Sequence, residues 1–271
     1  MKIIFLDIDG TLLDYDLKAP QSAIRAVQEA RKKGNKVYLS TGRSRAEIYP
    51  SIWEIGLDGM LGGNGMYIED NNTVIQDLVM KKEDVIQVVD WMSQNDLGFY
   101  LESKNGLFGS DNLVVKSAKH LFGNAKEENC EKVKAVFPHM IYGGELYRED
   151  VAKISFCLNP NLLEEARERF GSFLKVDSWT ALGKTQDFGE FAVIGADKVH
   201  AVDKLLAYLK VGKEDTFAFG DAISDIAMVN YCQVGIAMGN AQEELKEVAD
   251  YVTDSVNKDG LWNAFVKYNL V

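Results

Sequence analysis

The chain begins with a short, unbroken apolar run, Ile3 to Leu6, and then turns abruptly to charge at "DIDGTLLD". A run this brief and this continuous predicts a strand buried on both faces of a parallel sheet, since a half-solvated strand alternates and a helix needs more length. Next, "APQSAIRAVQEARKKGN" places Ile24, Val27 and Ala30 on one helical face, with Pro20 near the start and Gly34 as the stop. A second apolar strand, "KVYLS", leads into "TGR". Strand, helix and strand in this order make a right-handed parallel unit. "RAEIYPSIWEIG" reads as a helix despite Pro50, and "GMLGGNGMYIED" and "TVIQDLV" read as two extended segments joined at Asn71-Asn72.

From about Lys82 the rhythm changes. "KEDVIQVVDWMSQND" predicts a helix, "GFYLES" and "GLFGS" a hairpin around Asn105-Gly106, and helical pieces run on to about Val136. A strand at "DVAKISFCL", a helix at "NLLEEARERFGSF" and strands near "LKVDSWTAL" and "TQDFGEFAVI" complete this stretch. From Ala196 the alternation of helix and buried strand returns, with a helix over "DKVHAVDKLLAYLKVG" ended by Gly212, a strand "TFAFGD", a helix begun by "SDIAMVNYC", a strand "QVGIAM" and a helix "AQEELKEVA". The expected class is therefore α/β, a doubly wound, Rossmann-like parallel sheet core from residues 1–82 and 189–271, with an α+β module inserted at 83–188.

At 271 residues and 46% hydrophobic composition, the chain has material for a large core with such an insertion. The net charge of -11, with no long basic run, argues against a nucleic-acid or anionic membrane partner. Any anionic ligand then needs a local cationic site. Cys130, Cys157 and Cys232 are odd in number and lack a CxxC spacing, so they read as buried thiols of a reducing compartment. "MKIIFLD" is interrupted by Asp7 too early for a signal peptide, and no uncharged stretch is long enough to cross a bilayer, which makes the cytoplasm the expected location.

Candidate chemistry gathers where strands end. Side chains alternate along a strand, so Asp7 and Asp9 are expected on one face, with Gly10 turning the backbone beneath them. An Asp-Gly turn accounts for Asp9 and Gly10 but not for Asp7. Ligands of open parallel sheets bind at the carboxyl ends of strands, where "STGR" and the aspartate of "TFAFGD" also lie. Thr41 reads as a hydroxyl donor to an anion or as a helix cap, and Arg43 as a partner of a phosphate or of an acid on the sheet rim. Asp225 lies four residues past Asp221, on the same side of a helical turn, and serves either a metal site or the helix N-terminus. Asn240, in "GNA", faces the site or closes a turn. His120, His139 and His200 show no metal-ligand spacing.

The ordered series "DIDGTLLD", "STGR", "GGNG", "DK", "GDAISDIAMV" and "GIAMGNA" resembles the haloacid dehalogenase-like phosphatases, in the Cof-type branch with a large α/β cap, over essentially the whole chain. The resemblance implies that Asp7 is a nucleophile forming an aspartyl-phosphate and that Asp9 protonates the leaving oxygen and then activates water. It implies Mg2+ bound by Asp7, the Asp9 carbonyl and Asp221, with Asp225 as a further metal residue. Thr41 and Gly42 would donate to the phosphoryl oxygens, Lys198 would hold Asp7 and phosphate together, and Arg43, Asn64, Gly65 and Asn240 would face the substrate. Lys204 and Lys184 are rivals of Lys198 that read as solvated surface charges. Two positions depart from the family pattern: Ser224 stands where Asn is usual, and Val199 where Gly is frequent. The implied enzyme is a Mg-dependent phosphatase whose cap closes over a small phosphorylated metabolite such as a sugar phosphate, nucleotide or cofactor phosphate, as a monomer or homodimer. A phosphomutase and a non-catalytic phosphate sensor are the alternatives. Which of Glu102, Asn105, Tyr142 or Trp179 meet the substrate is not written in the sequence.

Overall fold

The computed structural model describes residues 1–179 and 187–271. The chain opens with β1 (Ile3–Leu6), α1 (Gln21–Lys32), β2 (Lys36–Ser40), a one-turn α2 (Pro50–Trp53), β3 (Gly59–Gly62), β4 (Tyr67–Asp70) and β5 (Thr73–Asp77). The middle of the chain forms α3 (Lys82–Gln94), β6 (Phe99–Ser103), β7 (Gly106–Gly109), α4 (Leu113–Phe122), α5 (Glu127–Val136), β8 (Met140–Tyr142), β9 (Lys153–Cys157), α6 (Pro160–Phe170), β10 (Leu174–Trp179) and β11 (Phe188–Val193). It ends with α7 (Lys198–Leu209), β12 (Thr216–Gly220), α8 (Ile226–Tyr231), β13 (Val234–Ala237), α9 (Glu243–Val248), β14 (Tyr251–Val252) and α10 (Gly260–Lys267). Among the described residues no helix is long and apolar enough to cross a membrane.

Two compact units result, one of residues 1–43, 48–77 and 196–271, the other of 44–47 and 78–195. Their borders differ from those expected at 82/83 and 188/189. Strand β11 pairs with β10 as far as Val193, so the residues after 188 go with the inserted module. Upstream, Met80 N–H donates to Val151 O, and Ala46 packs beside Tyr100, Leu107 and Leu113. The outer ends of the two expected strands "LKVDSWTAL" and "TQDFGEFAVI", and Lys184, lie outside the described residues.

In the first unit the sheet order is β14-β13-β12-β1-β2-β3-β4-β5, parallel from β14 to β3 and antiparallel at β4 and β5. Every side chain of β1 is buried, and successive ones enter different cores. Ile4 and Leu6 pack with α1 and α10 residues such as Val27 and Phe265, whereas Ile3 and Phe5 pack with α7 and α8 residues such as Leu205 and Met228. That is why the run shows no polar alternation: both faces of the strand are covered. "GMLGGNGMYIED" is two strands rather than one, because Asn64 at φ 53 and Gly65 at φ 98 reverse the chain. "RAEIYPSIWEIG" splits into a 3-10 turn at Arg45–Glu47 and the single turn of α2, with Pro50 able only to start a helix. Helix α7 stops at Lys210, in the left-handed region at φ 56, two residues before the expected Gly212.

Among the described residues the second unit has a six-stranded sheet in the order β10-β11-β9-β6-β7-β8, with one parallel pair, β7 and β8. One face carries Phe99, Leu101, Ile154, Phe156 and Phe191 against α3 and α6, where Trp91 meets Phe156, Phe170 and Phe191 edge-on. The opposite face of the same strands carries Tyr100, Glu102, Lys153, Ser155 and Glu190 in register.

Candidate active site

Asp7 follows the last residue of β1, and its N–H still bonds Phe219 O at 3.0 Å, so the neighbouring parallel strand fixes its backbone. Gly10 then turns at φ 84, and a Cβ there would stand 2.1 Å from Asp221 Oδ2. Only glycine allows the Asp221 carboxylate to lie against this loop. Asp221 caps the end of β12, and Asp225 follows one turn later. Asp7, Asp221 and Asp225 are all buried, and one carboxylate oxygen of each lies within 4.8 Å of the others.

Among the described residues a single ammonium enters this group. Lys198 Nζ, only 4% exposed, donates to Asp7 Oδ1 at 3.0 Å, Asp225 Oδ1 at 2.6 Å and Ser40 O at 3.0 Å. The lysine is the first residue of α7, whose preceding Asp197 accepts the His200 N–H as an N-cap. Gly65 positions that helix end, since a Cβ on it would stand 2.4 Å from Asp197 O. Three carboxylates against one ammonium leave an excess of negative charge among the described residues, and it raises Asp7, Asp221 and Lys198 alike. Burial, then Asp225, raises the Asp7 carboxyl well above its ordinary range. Burial, then Asp225, pushes Asp221 up to about 6. For Lys198 burial acts downward, but Asp225 and Asp7 outweigh it and hold the ammonium protonated. A pocket of hard oxygen donors with excess negative charge fits a divalent cation such as Mg2+.

Asp9 does not share this pocket. The turn sends its carboxylate outward, 48% exposed, where Arg43 holds it in a fork with Nε to Oδ2 at 2.9 Å and Nη2 to Oδ1. The expected convergence of two like charges is thus relieved, each aspartate having its own cation. Of the two partners open to Arg43, the structure shows the rim acid. Thr41, 2% exposed, accepts the Arg43 N–H at 3.1 Å, which leaves its own hydroxyl proton for a further acceptor. A Cβ on Gly42 would stand 3.5 Å from the Asn64 side-chain amide.

Asn240 and Asp225 make the turn and helix-start contacts that the sequence left open beside a role in the site. Asn240 spends its amide internally, donating to Gly10 O at 2.8 Å and Tyr15 Oη at 3.2 Å and accepting from Val256 N at 2.8 Å. It therefore ties the acidic loop to the sheet end. Asp225 Oδ2 accepts the Asp221 and Ala222 N–H groups, at 3.2 and 3.1 Å, and its Oδ1 accepts from Lys198, so it orders the turn that carries Asp221. Ser224 is exposed, and Asp225 supplies the capping acceptor in its place. Lys204 bonds Gln76 at the surface, and all three histidines are exposed. Two residues that bond Asp221, Thr11 and Tyr15, were not singled out from the sequence; nothing in their spacing distinguishes them from loop residues.

The sequence pattern of the haloacid dehalogenase-like hydrolases matches residues 4–265. The chain belongs to this family. Within it, YkrA of Bacillus subtilis (strain 168), named as a candidate phosphatase, is 28% identical over 275 residues, covering 100% of this chain and 98% of YkrA. The 5-amino-6-(5-phospho-D-ribitylamino)uracil phosphatase YcsE of the same organism is 27% identical over 266 residues, covering 97% of this chain and 94% of YcsE. Among solved structures, the haloalkanoate-superfamily phosphatase BT1666 of Bacteroides thetaiotaomicron superposes with TM-score 0.79 at 25% identity, covering 100% of this chain and 96% of that one. The haloacid dehalogenase-like assignment extends to the Cof-type branch, and the enzyme is a phosphatase.

Proposed function

We propose that this haloacid dehalogenase-like phosphatase is a Mg2+-dependent phosphomonoesterase of small phosphorylated metabolites that works through an aspartyl-phosphate on Asp7. The observation that carries the reading is the buried Asp7–Lys198–Asp225 array with Asp221 beside it, an excess of carboxylate at the end of the central strands. The Asp7 and Asp221 carboxylates, with the Asp9 carbonyl, would hold the ion. The chemistry Mg2+ supplies when bound is charge neutralisation, which lets an anionic carboxylate approach an anionic phosphoryl group.

Lys198 fixes the Asp7 carboxylate by a bond to Oδ1 and keeps a positive charge beside the attacking group. An Asp7 oxygen bonds to phosphorus as the bond from phosphorus to the substrate oxygen breaks, and Asp9 gives that oxygen a proton. Asp9 then takes a proton from water as the water oxygen bonds to phosphorus, and the Asp7–phosphorus bond breaks to release inorganic phosphate. Thr41 and the Gly42 amide supply donors to the phosphoryl oxygens, and Arg43 orients Asp9. Support for the substrate class comes from the 27% identity to YcsE, whose named substrate is a phosphorylated ribityl compound. Sugar phosphates, nucleotides and cofactor phosphates all belong to the class.

The test is phosphate release from a panel of such compounds, with MgCl2 or EDTA, by the wild type and Asp7→Asn. Release only by the wild type and only with Mg2+ is expected. Turnover that survives either loss rejects the mechanism, and return of the phosphoryl group to a substrate hydroxyl would identify a mutase.

A further inference from the structure

The loop between β1 and α1 holds an interaction that the catalytic scheme does not use. Tyr15 is 68% exposed, so ring packing does little to place it. Its hydroxyl is nevertheless fixed from two sides, donating to Asp221 Oδ2 at 3.0 Å and accepting from Asn240 Nδ2 at 3.2 Å. Asn240 is anchored in turn by Gly10 O and the Val256 N–H. The loop is itself ordered by Asp14, whose Oδ1 accepts the Asp16 and Lys18 amides at 3.0 and 2.9 Å. The other oxygen of Asp221 accepts from Thr11 Oγ1 at 3.3 Å.

Each oxygen of Asp221 thus has one side-chain donor, and the two donors together set the plane of the carboxylate. Each oxygen keeps a second lone pair for another partner. The series Val256 N–H, Asn240, Tyr15, Asp221 runs in one donor direction, so each bond polarises the next.

We propose that Tyr15 is a positioning residue for the metal site: its hydroxyl, held by Asn240, locks Asp221 in the orientation from which it shares a divalent cation with Asp7. The inference rests on the Mg2+-dependent reading above. Outer hydrogen bonds of this kind hold metal-binding carboxylates in place, and their loss typically weakens affinity about 10- to 100-fold.

The experiment is calorimetric titration of MgCl2 alone into the full-length protein, wild type and Tyr15→Phe, together with melting curves in EDTA. The variant removes one hydroxyl from an exposed ring, so melting in EDTA should be unchanged. The dissociation constant for Mg2+ should rise about 10- to 100-fold. The Mg2+ concentration giving half-maximal phosphatase activity should rise in parallel, with turnover at saturating Mg2+ largely retained. A merely structural tyrosine would lower melting in EDTA and leave the affinity alone. Mg2+ binding to Tyr15→Phe within twofold of wild type, or tighter, overturns the proposal while sparing the metal site. A wild type that binds no Mg2+ overturns both.

Discussion

Replacing Lys198 by methionine keeps most of the side-chain volume and removes the ammonium that Asp7 and Asp225 share. Each of its carboxylate contacts, at 3.0 and 2.6 Å, has a gross attraction on the order of 5 kcal/mol at an effective dielectric of ~20. The cost of burying the ammonium offsets much of that, and removing one partner of a buried ion pair typically destabilises by about 3–5 kcal/mol, because the remaining charge is left without compensation. Here two carboxylates lose their cation, so Lys198→Met should fall at the upper end of that range in EDTA. Mg2+ should then stabilise the variant more than it does the wild type, since the ion meets more uncompensated charge. At 100 times its dissociation constant a ligand adds about 2.7 kcal/mol. Urea denaturation followed by circular dichroism, with EDTA or MgCl2, measures both effects, and phosphatase activity should be lost in either condition. Stability of Lys198→Met within about 1 kcal/mol of wild type in EDTA would refute the reasoning, because the ammonium would then not compensate the buried acids.

Other expectations follow from the same geometry. Glu102 is fully buried beside Lys153 at 3.2 Å, and burial is the main cause that pushes its carboxyl from 4.5 up to about 8, Lys153 opposing and Glu47 adding to the rise. A raised carboxyl contributes stability that is intact below about pH 4.5 and lost as pH rises through about 8. Glu102→Gln should therefore flatten the decline in stability over that window in pH-dependent denaturation; parallel curves for the two proteins would contradict it. Gly65→Ala brings a Cβ within 2.4 Å of Asp197 O at a φ of 98, and should cost on the order of 1–3 kcal/mol and lower kcat by shifting the helix end that carries Lys198. Ser40 Oγ is buried and makes no hydrogen bond among the described residues, so Ser40→Ala should stabilise by about 1 kcal/mol in the same denaturation assay, with Mg2+ affinity unchanged.

Strand ends were readable in the sequence because a parallel sheet buries its strands and leaves chemistry at their tips. Ile3 to Leu6, "KVYLS" and "TFAFGD" announce both the central strands and the positions of Asp7, Thr41 and Asp221. Lys198 was readable only through the family resemblance, since a lysine at a helix start looks like a surface charge until the fold buries it. Local punctuation was less legible. Pro50 broke a segment with helical periodicity, and Lys210 ended α7 where a later glycine looked the better stop. Partner choice was the least legible of all. Arg43 to Asp9, Asn240 to Tyr15 and Tyr15 to Asp221 join loops 34, 225 and 206 residues apart in the chain, and no spacing rule encodes such a meeting. An exposed tyrosine in a polar loop has no periodic signature, which is why Tyr15 emerges only from the coordinates.

The central claim is that Asp7 receives the phosphoryl group while sharing a divalent ion with Asp221. A crystal structure of the protein grown with MgCl2 and beryllofluoride tests it most directly. The account predicts a tetrahedral beryllofluoride on an Asp7 carboxylate oxygen and one Mg2+ bound by the other Asp7 oxygen and by Asp221. Beryllofluoride attached to a different residue, or an ion that touches Asp7 without Asp221, would contradict it.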